Sequence, residues 1–329
     1  MIQTRLTRRF GIKHPIICAP MALVTGGTLA AAVSRAGGLG IVGGGYAGTI
    51  GGEPDLDVEI SIAKSEKFGV GFITWALSQA PGMLTKALKH SPFCIFLSFG
   101  DPGPFAEEIR REGALLICQV QYMADIEIAL KAGAAAVVVQ GSEAGGHGAS
   151  RSTFPFLPEA ADYLLQHSPE TLLLAAGGIA DGRGLAAALI LGADGVVVGT
   201  RFWASIEALT KKAHTDRASA ANGDSTIRTK VLDALRGVPW PRQYSFRFLK
   251  NKLSNDWMDR EEEAFRVYGS QAEGYAKARI QDDLDTVAVV CGEAIGIIHE
   301  RPSAESIVAS MAEQAENILG SSKERWLNS

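Results

Sequence analysis

Residues 137–148, VVVQGSEAGGHG, end an apolar run in a polar tip with one histidine among four glycines. His147 can take or give a proton near neutral pH, or donate to an anion. Two other runs end in comparable fashion. GGIADGRG (177–184) follows LLLAA, and Gly199-Thr200 follows GVVV. Glycines let backbone come close to a ligand, and first-turn amides point outward, so Gly177, Gly178, Gly199 and Thr200 suit a bound phosphate. Asp181 is placed to cap a helix starting near Arg183. The remaining histidines, His14, His90, His167, His214 and His299, do not fall at the C-terminal ends of predicted strands. No H-x-H or H-E-x-x-H pattern is present, so no metal site is expected.

Other polar residues close runs as well. Gln119 and Gln140 could aim amides at a flavin or nucleobase edge, or could simply cap a barrel mouth; both readings stand. Glu143 could serve as a second acid or base, although a solvated loop carboxylate is simpler. Ser142 lies in G-S-E-A-G, which is not the G-x-S-x-G of a nucleophile elbow.

The elements that must position these residues repeat. RAGGLGIVGGG (35–45), REGALLICQVQ (111–121), KAGAAAVVVQG (131–141) and ILGADGVVVGT (190–200) share one order: helix end, glycine, apolar β run, polar loop. Glycine at a helix C-terminus followed by an unbroken aliphatic run marks a βα unit whose strand is buried on both faces. Eight strands are predicted, at 15–19, 38–43, 69–74, 93–98, 115–119, 135–140, 172–176 and 195–198, with helical patterning between them. Eight alternations predict an α/β fold, a (β/α)8 TIM barrel, with its ligand site at the strand C-termini. An open Rossmann sheet would require G-x-G-x-x-G after the first strand, where the chain has Cys18-Ala19-Pro20-Met21.

After the eighth strand the rhythm fails. The expected organisation is a barrel over 1–204, a mainly helical insertion over 205–285 that covers one barrel end, and closing helices over 286–329. DTVAVVCGEAIGIIHE and SAESIVASMAEQAENIL read as those helices. Trp240, Tyr244 and Phe246 of the insertion could cover the site, though ordinary packing is the simpler reading.

A hydrophobic fraction of 47 % and 329 residues are enough for a full core. The net charge of −4, spread along the chain, excludes the basic stripe of a nucleic-acid binder. The basic N-terminus runs into the first core strand and is read neither as a transit peptide nor as a membrane span. Cys18, Cys94, Cys118 and Cys291 form no C-x-x-C pair, as expected of reduced thiols in a cytoplasmic protein.

Four loops carry a resemblance. Ala19-Pro20-Met21, Gln140 through His147 (QGSEAGGH), Ala176 through Arg183 (AGGIADGR) and Gly199 through Phe202 (GTRF) resemble the nitronate monooxygenase family, formerly called 2-nitropropane dioxygenases. The likeness spans roughly residues 10–205, with a weaker echo in CGEAIGIIHERPSAESIV (291–308). It implies non-covalent FMN. Gln140, Gly145 and Gly146 would lie at the flavin, joined by Gln119 and Gly177. Gly178, Val197, Val198, Gly199 and Thr200 would hold the ribityl phosphate. Ala19, Pro20 and Met21 would pass beneath the ring, and His147 matches the family's active-site histidine. Two positions depart from the family pattern. Gly71 stands where an Asn is common, and Glu293 where a Gln is common.

The resemblance implies oxidation of alkyl nitronates, or of nitroalkanes, with O2 to a carbonyl compound and nitrite. The substrates would be small molecules, with no nucleic-acid or membrane partner. Two alternatives remain at this level. One is an NAD(P)H-dependent FMN reductase of quinones or enoyl-ACP. The other is a non-flavin phosphosugar isomerase or lyase barrel using the same phosphate loops.

Overall fold

The computed structural model describes residues 1–49 and 52–326, with side chains through residue 321. The last three residues of the predicted closing segment, 327–329, lie outside the described residues. The barrel strands are β1 (Ile16–Cys18), β2 (Gly40–Gly45), β3 (Phe68–Ile73), β4 (Cys94–Ser98), β5 (Leu115–Val120) and β6 (Ala136–Gln140). After a short extra strand, β7 (Gly146–Gly148), the barrel resumes with β8 (Leu172–Ala176) and β9 (Gly195–Val198). The eight barrel strands are parallel, in the order β1-β9-β8-β6-β5-β4-β3-β2. The ring closes where Leu39 bridges Ile17, with Cys18 N donating to Leu39 O at 2.9 Å. All eight predicted strands are present, their ends displaced by two residues at most.

Strand alternation splits the core into two layers. Ile17, Ile41, Phe96, Ile117, Val138 and Val197 fill the barrel interior. Ile16, Cys18, Val42, Val70, Val137 and Val198 face the surrounding helices. The helix Arg5–Phe10 plugs the bottom of the barrel with Leu6 and Phe10. Arg5 locks it there through two bonds to Asp194, at 2.8 and 2.7 Å. The long helix Ala304–Trp326 packs on Gly182–Ile190 and Gly27–Arg35, filling the gap between the last and first units.

The structure differs from expectation after residue 205. The insertion carries helices, among them Val231–Arg236 and Ala272–Gln281, but also two strands, β10 (Thr226–Thr229) and β11 (Ser245–Leu249). These pair antiparallel, and β11 pairs in turn with β7, so the insertion and the His147 loop form one three-stranded sheet. The segment DTVAVVC is not helical; among the described residues from Asp285 to Pro302 the helical turn is the 3-10 turn Glu293–Ile297. Val287, Ala288 and Val289 are all buried, so this piece has no solvent face to give a helix its amphipathic period.

Candidate active site

The barrel mouth opens into a cavity of about 960 Å3, at the top of the roughly 300–1,000 Å3 typical of small-molecule sites. Of the residues expected to act in catalysis or to hold the cofactor, every one lines it except one. The exception is Val198, whose side chain faces the helices because its neighbour Val197 faces inward. Only its carbonyl reaches the rim, accepting from Ala19 N at 3.0 Å.

The first rim loop is pinned by Thr25, whose hydroxyl donates to Ala19 O at 2.8 Å. Pro20 leans over β3. A Cβ on Gly71 would stand 2.3 Å from the Cβ of Pro20, so the place where relatives often carry Asn is filled by the proline ring.

The anion cradle lies between the loops after β8 and β9. Gly177 and Gly178 hold φ of +102° and +73°, which L residues rarely adopt. An added Cβ would find nothing nearer than 3.5 Å at Gly178 and 3.6 Å at Gly199, so open space lies beside both. The first amides of Thr200–Trp203 have no intrahelical acceptor. The helix Gly182–Ile190 is capped by Asp181 as expected, which leaves its first amides occupied. Asp181 caps Arg183 N and Gly184 N, and Gly182 N is taken by Gln314. A phosphate is therefore left to the Gly178 and Gly199-Thr200 backbones, and these residues fit one.

The His147 loop is tightly held. Arg228 donates to Ser142 O, Ala144 O and Ser245 O at 3.1, 2.6 and 2.7 Å, and Arg247 donates to Ser142 O at 3.0 Å. Burial and the neighbouring Arg247 push the Arg228 guanidinium down to about 10. Gln140 is committed on both ends. Its Nε2 donates to His147 O at 3.1 Å, and its Oε1 accepts from Gln121 at 3.0 Å. Gln119 is half-buried with its amide free among the described residues. Glu143 is no solvated carboxylate: it receives the amide and hydroxyl of Thr153, where the helix Thr153–His167 begins.

Gly145 is needed for a reason the sequence did not show. Its missing Cβ would stand 2.5 Å from the carbonyl carbon of Cys291. The loop and the 287–292 segment lie backbone to backbone, joined by Glu293 N donating to Glu143 O at 2.9 Å. The carboxylate of Glu293 turns away to Arg247 at 2.8 Å, which accounts for a charge where an amide is common.

His147 is buried and stands directly opposite Phe246 in the β7–β11 register. Its ring stacks on Trp240, with centroids 3.4 Å apart and planes 9° apart. Phe246 covers it from 4.5 Å. Trp240 is in turn held by its indole N–H, which donates to Tyr46 Oη at 3.1 Å. Trp240 and Phe246 line the cavity beside His147, so these aromatics do more than pack the insertion; Tyr244 packs behind them. His147 Nε2 lies 2.8 Å from Asp233 Oδ2, and both side chains are buried. Burial pushes the His147 imidazole below its ordinary range, against the opposing pull of Asp233. Asp233 was not found from the sequence, although a signal existed: it is the one charge inside VLDAL, whose other four residues are all buried.

A (β/α)8 barrel whose rim joins two glycine-rich loops to a buried, carboxylate-paired histidine has the layout of a barrel enzyme with its site at the strand C-termini. Comparison with known proteins agrees. The nitronate monooxygenase family model matches residues 3–65 and 76–314. The chain is 35% identical to a nitronate monooxygenase of Metarhizium robertsii, over 93% of this chain and 92% of that one. It is 30% identical to a nitronate monooxygenase of Neurospora crassa, over 92% and 89%. The structure of FabK from Thermotoga maritima superposes with a TM-score of 0.83 at 28% identity, covering 99% of this chain and all of that one. The chain belongs to the nitronate monooxygenase family.

Proposed function

We propose that this chain oxidises alkyl nitronates, and nitroalkanes after deprotonation, with FMN and O2, yielding a carbonyl compound and nitrite. The observation that carries this reading is His147, buried in the cavity beside the glycine cradle with one ring nitrogen engaged by a carboxylate. When bound, the flavin supplies the electron chemistry. The chain supplies the rest. Gly178, Gly199 and Thr200 would hold the phosphate, Ala19-Pro20-Met21 would underlie the ring, and Gln119 would offer its free amide. His147 would take the proton from a neutral nitroalkane, and in the neutral state burial keeps it ready to do so. Trp240 and Phe246 would exclude water beside it. In this reading residues 1–204 carry the flavin, 205–285 cover it and 286–329 close the barrel. A cytoplasmic location is part of the proposal, since all four cysteines are buried and free. Among the described residues no helix is long and apolar enough to cross a membrane.

Two measurements test this. His147→Asn should lower turnover of a neutral nitroalkane by roughly 10²–10⁴-fold while affecting a preformed nitronate far less; unchanged nitroalkane turnover refutes the base. Anaerobic mixing should show rapid flavin bleaching by propyl-2-nitronate and slow bleaching by NADH. The reverse order refutes the nitronate assignment in favour of an NAD(P)H-dependent reductase.

A further inference from the structure

The insertion brings three residues to His147 from one continuous stretch: Asp233, Trp240 and Phe246. Trp240 and Phe246 cover the ring, and Asp233 meets its edge. We propose that Asp233 is the positioning residue of this site, holding His147 as the Nε2–H tautomer so that Nδ1 is the nitrogen presented to substrate. Asp233 gains this role only because His147 is read as the base.

Three observations and one chemical rule converge. Nε2 and Oδ2 are 2.8 Å apart, a full hydrogen bond between two buried side chains. A carboxylate oxygen accepts, so the nitrogen facing it carries the proton. Among the described residues His147 Nδ1 has no hydrogen-bond partner, and the residue lines the cavity. Finally, Asp233 Oδ1 is buried with no hydrogen-bond partner among the described residues, so none of them competes with His147 for this carboxylate. A buried acceptor left unpaired is unfavourable for folding and is rarely kept without a task.

The stack fixes what the hydrogen bond orients. Trp240, stacked at 3.4 Å, and Phe246, tilted at 4.5 Å, restrict the ring from turning out of line with Asp233. In the base step the Cα–H bond of the nitroalkane breaks and the proton goes to Nδ1. The bonding pair stays on the substrate as the nitronate. His147 is then an imidazolium next to an undivided carboxylate, which stabilises the charge that appears only on reaction.

The charged groups around His147 give a pH signature. Asp233 faces it from the helix Val231–Arg236, together with Arg236; Arg228 faces it from β10; Trp240, Phe246 and Phe99 are uncharged. Tyr46 and Tyr268 lie near Asp233. Only Asp233 favours the protonated ring, so its removal should move the acid limb of the nitroalkane profile to lower pH.

The test uses the flavin-loaded protein, labelled with ¹⁵N-histidine, with His147→Asn identifying the signal. Expected are an Nε2–H pattern in the wild type and loss of that tautomer preference in Asp233→Asn. That variant should lose roughly 10²–10⁴-fold in kcat on neutral nitroalkane, with a much smaller loss on preformed nitronate. Asp233→Glu, which keeps the carboxylate, should recover part of the loss. An Nδ1–H pattern in the neutral wild-type ring overturns the proposal without any variant, as does an Asp233→Asn enzyme with wild-type tautomer and wild-type kcat. Should His147→Asn keep its nitroalkane turnover, the base reading falls, while the nitrogen spectrum still decides what Asp233 does to the ring.

Discussion

Gly145→Ala is the sharpest steric test of how the active-site loop is built. The new Cβ would lie 2.5 Å from the carbonyl carbon of Cys291, 2.6 Å from Gly292 N and 2.9 Å from Cys291 Cα. All three are backbone atoms, so none can rotate aside. Carbon atoms rest at about 3.5–4.0 Å, so one of the two backbones must retreat by about 1 Å. The retreat is opposed by two bonds, Glu293 N to Glu143 O and Gly292 N to Thr200 Oγ1, both 2.9 Å. Overpacking of this kind costs about 1–3 kcal/mol. Stretching two hydrogen bonds adds up to about 1 kcal/mol each, for a total of about 1–5 kcal/mol. Unfolding entropy of about 2.1 cal/mol/K per residue gives about 0.7 kcal/mol/K for this chain, so about 3 kcal/mol lowers Tm by about 4 °C. Thermal unfolding followed by circular dichroism measures this directly. Gly82→Ala serves as the control: its Cβ meets nothing within 4 Å and it begins a helix, so Tm should hold or rise slightly. Because Gly145 lies two residues from His147, flavin retention should fall along with Tm. A Gly145→Ala protein melting within about 1 °C of wild type would refute the backbone-to-backbone packing.

Two further outcomes follow from the geometry. Burial holds His147 below its ordinary value of 6.5, so in acid the unfolded chain binds this proton more readily than the folded one. The associated stability is complete above the unfolded value and is lost as pH falls toward the folded one; His14 and His214 are shifted the same way. Tm should therefore fall as pH drops below about 6.5, and His147→Gln should flatten that slope; an unchanged slope refutes it. Gly71→Asn, which restores the residue common in relatives, should weaken flavin retention here, because its Cβ would lie 2.3 Å from Pro20. Tighter binding in an equilibrium flavin titration would refute this.

Local chemistry made much of the protein legible. Each aliphatic run buried on both faces announced a strand, and each glycine after a helix announced a turn, because those requirements are met within about ten residues of chain. The rim residues followed from the runs: once eight strands alternate with helices, whatever ends each strand lies at one mouth. Val198 shows the limit of that rule, since alternation sends every second side chain outward. The insertion was harder to read. β10 and β11 are short, each with one arginine, and β11 completes its pairing on a distant segment, Gly146–Gly148 of β7.

The sequence by itself determined the barrel, the glycine cradle and a histidine at its edge, since each depends on periodicity or on a motif of adjacent residues. Only the tertiary structure decided what that histidine meets. Asp233 lies 86 positions away along the chain and Trp240 further still. Both reach His147 through strand pairing between the insertion and the GSEAGGHG loop. Such pairing is set by the complementary edges of two distant segments, and neither edge is written in the residues that flank the histidine.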